Sequence, residues 1–153
     1  MYKPIELHSR ILNVDFGKNV KVVKPVNIYG CKIGDNSFVG PFVEIQKDVS
    51  IGCNSKIQSH TFICELVSIG NDCFIGHGVM FINDLFSKGK PAQGDKSLWK
   101  STVIGNMVSI GSNATILPIH ICDNVVIGAG SVVTKNIDKP GTYAGNPAVL
   151  LKK

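Results

Sequence analysis

The chain has 153 residues, 44% hydrophobic and 18% charged, with a net charge of +5. That is the size of one domain with a real core, and it lacks an apolar run of membrane-spanning length and a charged-then-apolar N-terminal leader, so a soluble cytoplasmic protein is expected. The lysines gather at Lys88, Lys90, Lys96 and Lys100 and again at Lys135, Lys139, Lys152 and Lys153. This suits a phosphorylated small ligand, and with no basic-aromatic stripe along the chain and no basic helical face, nucleic acid is excluded as a partner.

In chain order, Phe16, Val22 and Ile28 begin a six-residue rhythm that steps by five to Ile33. From there apolar residues recur every six positions at Ile33, Val39, Ile45, Ile51, Ile57, Ile63, Ile69, Ile75 and Phe81. Gly often follows, as at Gly34, Gly40, Gly52, Gly70 and Gly76, and the position two before each aliphatic residue is small or β-branched, from Ser37 and Val43 to Cys73 and Val79. The rhythm stops at "FINDLFSKGKPAQGDKSLWKS" and resumes at Ile104, Ile110 and Ile116, then at Ile121, Ile127 and Val133. The five cysteines, Cys31, Cys53, Cys64, Cys73 and Cys122, are odd in number, form no C-x-x-C and fall inside the repeat. Neither a disulfide framework nor a zinc cluster is expected from them.

Six is not a helical period, and plain alternation does not require Gly at a fixed phase. A short strand followed by a tight bend fits both features, because side chains two apart share a face and Gly relaxes the corner. Three such units close a triangular coil of eighteen residues. Successive coils hydrogen-bond at roughly 4.8 Å, stacking Ile and Val into an interior ladder. The reading is an all-β chain: a parallel β-helix of about six triangular coils over residues 14–138, a loop at 83–102, and a C-terminal extension at 139–153 that covers the last coil as one continuous domain with the rest.

The I-G-x-x-small-x units from Ile33 to Phe81, "IGSNATILP" from Ile110, "VVIGAGSVVTKNI" from Val125 and "GNPA" from Gly145 resemble the hexapeptide-repeat acyltransferases. The resemblance implies a left-handed β-helix, a homotrimer and acetyl-coenzyme A as donor. Left-handedness runs against the usual crossover preference and comes from the resemblance alone. "GHGVMFIND", Gly76 to Asp84, is similar to a segment of the enzymes that N-acetylate nucleotide-linked amino sugars, especially 3-amino-3,6-dideoxyhexoses on dTDP, for lipopolysaccharide or S-layer glycan synthesis. Members that acetylate hydroxyls typically carry a histidine where the chain leaves the coil. Asn83 and Asp84 stand there in this chain, which favours an amine acceptor. Transfer to a sugar hydroxyl or another small acceptor is the alternative.

Counting by eighteen places Asn83, Glu65 and Lys47 in one column at one corner, with His60 and His77 near a different corner. Within one chain the two corners do not converge; in a trimer a shared site at each interface would join them. Amine attack on a thioester needs orientation, a donor to the oxyanion and a path for the nitrogen proton. His60 is the first candidate base and His77 the second; release of the proton to the departing thiolate, with no protein base, stays open. Asn83 would orient the amine, Asp84 would hold a sugar hydroxyl or orient a histidine, and Glu65 would assist either task. Trp99 would stack on a base or pack the loop. By the resemblance, coenzyme A lies along the later coils, its arm near Gly111, Ser112 and Ala129 and its phosphates near Lys135 and Lys139.

Plainer readings compete with each assignment. Corner histidines, including His8 and His120, are often solvated turn residues, Asn83 and Asp84 suit a loop start, and Glu65 could simply pair with Lys47. A metal-dependent hydratase on the same scaffold, like the γ-class carbonic anhydrases, needs closely paired histidines, and the chain has no H-x-x-x-x-H, so no metal is expected. A non-enzymatic β-helical scaffold would bind no coenzyme A.

Overall fold

The computed structural model describes residues 7–152. Strands of two to five residues follow one another around three faces, giving sheets A, B and C of seven, six and eight strands, all parallel except the last strand of sheet C. The result is a left-handed parallel β-helix of about seven turns. Sheet A begins at Ile11–Leu12 and ends at Val132–Val133; sheet B runs from Asp15–Phe16 to His120–Ile121; sheet C begins at Lys21–Val22. Registration is aliphatic on aliphatic: Ile28 on Ile45, Ile45 on Ile63, and Phe81 on Ile116 in sheet A, with Ile57 on Ile75 and Ile75 on Ile110 in sheet C. The five-residue steps at Ile28–Ile33 and Ile116–Ile121 are absorbed at the A–B corner without loss of register.

The interior is the predicted ladder. Ile28, Ile45, Ile57, Ile63, Ile75, Ile110, Ile116 and Ile121 are all fully enclosed. Each such side chain contributes roughly 1.5–3 kcal/mol of apolar burial. The small position of each repeat has its own task. Ser37, Ser55 and Thr61 are buried, and their hydroxyls donate to the carbonyls of Gly52 at 2.9 Å, Gly70 at 3.0 Å and Gly76 at 2.9 Å in the next coil. Ser37 Oγ also accepts the Ser55 N–H at 3.1 Å. The hydroxyls thus pair backbone groups that the corner would otherwise leave orphaned. Gly at the corner is enforced by contact: a Cβ on Gly70 would lie 2.6 Å from the Gly105 carbonyl oxygen.

Two features extend the sequence reading. The repeat starts one strand earlier, at Ile11, whose coil partner is Ile28. At the other end "KPGTYAGNPA" does not leave the helix at once. Gly141–Gly145 adds a strand to sheet C beside Val125–Ile127, with Ile127 opposite Tyr143, and then pairs antiparallel with Ala148–Leu150. The aromatic Tyr143 sits where an aliphatic rung would, so the segment has the spacing of a coil without its spelling.

Candidate functional site

The long loop leaves from the A–B corner and returns to it. Ile82 N–H still donates to Ile116 at 2.9 Å, as a coil residue would, and the next residue, Asn83, forms the neck. Its carbonyl accepts the Lys100 N–H at 2.9 Å, and Thr102 N–H then rejoins the ladder at Leu66 O, 3.1 Å away. Asn83 Nδ2 donates to the Glu65 carbonyl of the coil above at 3.2 Å, which fixes the amide and leaves its Oδ1 as an acceptor.

Glu65 is 8% exposed, and its carboxylate meets Lys96 Nζ at 2.5 Å. The partner is therefore a loop lysine in place of Lys47, because the loop folds back over its own corner through a single helical turn at Lys96–Leu98. Asp95 caps that turn, accepting the Ser97 N–H at 3.1 Å. The hydrogen bond to Glu65 raises the Lys96 pKa, and the ammonium also lies 5.3 Å from the Trp99 ring centroid. Trp99 is half-buried, so it packs the loop through this cation-ring contact. Asp84 is turned toward its own loop: Oδ1 accepts Phe86 N–H at 2.9 Å and Oδ2 accepts Ala92 N–H at 2.7 Å. Both carboxylate oxygens shape the loop, and Ala92 is buried beneath it.

The histidines occupy the C–A corner. His60 is exposed, has φ +62° and stacks on Phe42 of the preceding coil, with ring centroids 4.9 Å apart and an interplanar angle of 28°. His77, also exposed, has its Nδ1 2.9 Å from Ser59 Oγ. In the tautomer whose Nδ1–H donates to that hydroxyl, Nε2 is the acceptor, the arrangement a base requires. Ser59 is the residue before His60, so the two histidines belong to one cluster.

The sequence-predicted residues thus fall into two groups: Asn83, Asp84, Glu65 and Trp99 at the A–B corner, and His60 and His77 at the C–A corner. Sheet A lies between them, presenting Phe62 and Met80 in register. From His77 to Asn83 is six residues, about 20 Å of extended chain. No single amine touches both corners of one chain.

At the later coils the C–A corner is built from small residues. Gly111 N–H donates to Ile127 O and Gly130 N–H to Ser112 O, both at 2.8 Å, so these groups hold coil to coil. Ala129 is exposed, and a Cβ on Gly130 would meet nothing within 4 Å, which leaves that strip of backbone open to a ligand. Lys135 and Lys139 are exposed on the last coil. All five cysteines are free, and burial pushes the thiols of Cys31 to about 11 and Cys64 to about 12. Among the described residues no group of three or more His, Cys, Asp or Glu is placed to hold a metal, and no helix is long and apolar enough to cross a membrane.

Sequence reading missed Phe42, Ser59 and Lys96. Phe42 and Ser59 each precede their partners by eighteen residues, the same interval that joins Glu65 to Asn83, so counting one coil back from each candidate finds them. Lys96 lies in the aperiodic loop, where no such count applies.

The family model described as "Bacterial transferase hexapeptide (six repeats)" matches residues 30–65, and "Hexapeptide repeat of succinyl-transferase" matches 66–80 and 101–135. The break between the last two segments coincides with the loop. Among curated relatives, the bifunctional protein GlmU of Streptococcus uberis is 34% identical over 125 residues, 81% of this chain and 25% of the relative. GlmU of Clostridium botulinum is 36% identical over 107 residues, covering 69% of this chain and 21% of its own. The chain thus spans about a quarter of the length of these relatives. Among solved structures, a variant of AntD, an N-acyltransferase from Bacillus cereus in complex with dTDP and coenzyme A, superposes with TM-score 0.75 at 25% identity, covering 92% of this chain and 84% of that one. The hexapeptide-repeat acetyltransferase VCA0836 of Vibrio cholerae, complexed with acetyl-coenzyme A, gives TM-score 0.67 at 26% identity over 80% of this chain and 70% of that one. A maltose O-acetyltransferase from Clostridium difficile gives 0.53 at 28% identity over 90% and 70%.

Proposed function

The chain belongs to the hexapeptide-repeat transferase family, and from that premise we propose that it is an acetyl-coenzyme A-dependent N-acetyltransferase acting on the amine of a nucleotide-linked amino sugar. The acceptor class is a dTDP-3-amino-3,6-dideoxyhexose, its product destined for lipopolysaccharide or S-layer glycan, and the reaction belongs in the cytoplasm. The observation that carries this reading is the neck of the loop. It holds an asparagine whose amide nitrogen is tied to Glu65 O and whose Oδ1 is left to accept from an amine. The likeness to AntD, an N-acyltransferase seen with dTDP and coenzyme A, supports the same class.

The working unit in this reading is a homotrimer in which the A–B corner and loop of one subunit face the C–A corner of the next. Asn83 orients the amine, and the Lys96–Glu65 pair fixes the loop beside it. Asp84 acts through the loop it shapes. The amine nitrogen forms a bond to the acetyl carbonyl carbon, the carbon–sulfur bond breaks, and the nitrogen proton passes to His60, with His77 as second candidate. The thiolate leaves as coenzyme A and takes up a proton. The donor's arm lies along the open backbone at Ala129 and Gly130, near Gly111 and Ser112, with its phosphates toward Lys135 and Lys139.

The likeness to the Clostridium difficile enzyme favours a second reading, transfer to a sugar hydroxyl. Offering the protein acetyl-coenzyme A with dTDP-amino sugars and, separately, with plain hydroxyl sugars distinguishes them. Thiol release with the amino sugars is expected; release with the hydroxyl sugars alone overturns the leading reading.

A further inference from the structure

Stacking the coils creates on sheet C a column invisible in the linear sequence, because its members lie one coil apart. Lys21 is paired with Phe38, Phe38 with Lys56, and Lys56 with Phe74, all on the outward side. Cation and aromatic ring alternate at steps of about 4.8 Å. Around the first three members lies a groove of about 480 Å³, lined also by Asn19, Asn36 and Gln58. This is within the size range of small-molecule sites. Among the described residues neither lysine has a carboxylate within 4.0 Å: the carboxylate contacts made there by basic side chains are Lys96 to Glu65 and His120 to Asp138. Two ammonium groups flank a half-buried ring, an arrangement that suits a nucleoside whose diphosphate bridges the lysines across the ring.

The edges of the groove add direction. Asn19 Nδ2 donates to Asn36 Oδ1 at 3.2 Å. That bond leaves Asn19 Oδ1 as an acceptor and Asn36 Nδ2 as a donor, side by side. An acceptor next to a donor matches the N–H and carbonyl of a pyrimidine imide, and equally the amino N–H and ring nitrogen of adenine, so the pair holds a base edge without choosing between them. At the opposite edge, Gln58 is two residues from His60. Lys56 is four residues from it, about 13 Å along the strand and corner. A ligand seated with its base at the asparagines and its phosphates over the lysines would extend its remaining group toward the histidine cluster.

We propose that the Lys21–Phe38–Lys56 groove binds the nucleoside diphosphate half of the acceptor, with Asn19 and Asn36 holding the edge of the base and the two lysines neutralising the diphosphate. This deepens the reading of the protein as a nucleotide-sugar acetyltransferase and rests on it for the identity of the ligand. A nucleoside bearing phosphates also occurs in coenzyme A, so the test separates the two sources. Calorimetry on the full chain measures dTDP, ADP and coenzyme A binding to the wild type, to the Lys21→Gln/Lys56→Gln double variant and to Phe38→Leu. Wild type is expected to bind dTDP and ADP through this groove and coenzyme A elsewhere. The double variant should lose about tenfold or more in dTDP affinity, since both charge-assisted contacts to the diphosphate are removed. Phe38→Leu should lose several-fold, and coenzyme A should move less than about twofold in either.

Unchanged dTDP affinity in the double variant overturns the assignment, as does a loss confined to coenzyme A. If sedimentation shows the variants falling apart as assemblies while dTDP affinity holds, the column is an interface and the proposal fails. Thiol release judges the parent reading separately. Turnover of amino sugars without lysine-dependent dTDP binding sinks the groove alone; lysine-dependent dTDP binding without turnover sinks the parent function alone.

Discussion

The B–C and C–A corners of the helix face the same geometric problem and solve it with different residues. Both place one residue per coil in the left-handed region. At the B–C corner it is Asn19, Asn36, Asn54, Asp72, Met107 and Asn124; at the C–A corner it is Phe42, His60, Gly78, Asn113 and Gly130. Asparagine and aspartate tolerate this conformation, whereas a bulky ring there costs on the order of 1–2 kcal/mol. The B–C corner also uses neighbouring side chains on the fold itself. Asp35 Oδ1 accepts Lys18 N–H at 2.7 Å, Asn71 Oδ1 accepts Cys53 N–H at 2.8 Å, Asn106 Oδ1 accepts Asn71 N–H at 2.9 Å, and Asp123 Oδ1 accepts Asn106 N–H at 2.7 Å. The C–A corner instead carries exposed Phe42, His60 and His77. A corner that holds rings in an unfavourable backbone conformation is serving something besides the coil. Nothing in the structure explains Met107.

The largest effect that separates the corners is catalytic. His60→Ala is expected to lower turnover of the amino-sugar acceptor about 10²–10⁴-fold, the range for loss of a general base, with thermal stability held or improved. Steady-state kinetics at saturating co-substrates, together with a melting curve, read both quantities. Turnover within a few-fold of wild type would rule out His60 as the base and leave the proton to His77 or to the departing thiolate.

How much of this was legible in the sequence follows from the same periodicity. The ladder from Ile33 to Phe81 could be read because burial on one face of each strand forces an aliphatic residue at every sixth position, and the Ser37, Ser55 and Thr61 hydroxyls mark the bends that the coil repeats. The A–B column of Glu65 and Asn83 was legible for the same reason, being one coil apart. What lay outside reach was whatever does not repeat. Lys96 reaches Glu65 from the loop, Asp84 turns both oxygens inward on that loop, and Tyr143 replaces an aliphatic rung after the spacing has drifted. Lys21, Phe38 and Lys56 were each visible singly; they form a site only when the coils are stacked.

A second test converts one corner's chemistry into the other's. Phe42→Asn puts the tolerated residue of the B–C corner at the C–A corner. Removing a bulky ring from φ +60° is expected to gain about 1 kcal/mol, a rise in Tm of about 2–4 °C for a chain of this size. The same change strips the stacking surface from His60, so turnover should fall as stability rises. The pair of readings matters: Phe42 serving only the fold predicts that both are lost, and a purely incidental surface ring predicts a stability gain with turnover unchanged. Differential scanning calorimetry and steady-state rates on one preparation decide between them.

The smallest expected effect lies at the one gap in the B–C ladder. Cys53 occupies the rung between Asp35 and Asn71, one coil from each, and carries a thiol where its neighbours carry an amide or carboxylate oxygen. Cys53→Asn would offer that oxygen to the Asp35 N–H and continue the ladder across the coil. Its own N–H already donates to Asn71, so the backbone is in the conformation the rung requires. A net gain of about 0.5–1.5 kcal/mol is expected, typical of one intramolecular hydrogen bond, and urea unfolding should shift its midpoint upward at unchanged slope. Turnover should stay at the wild-type level, because Cys53 belongs to neither the histidine corner, the loop nor the lining of the Lys21–Phe38–Lys56 groove. A change in activity without a change in midpoint would show that position 53 serves something besides the ladder.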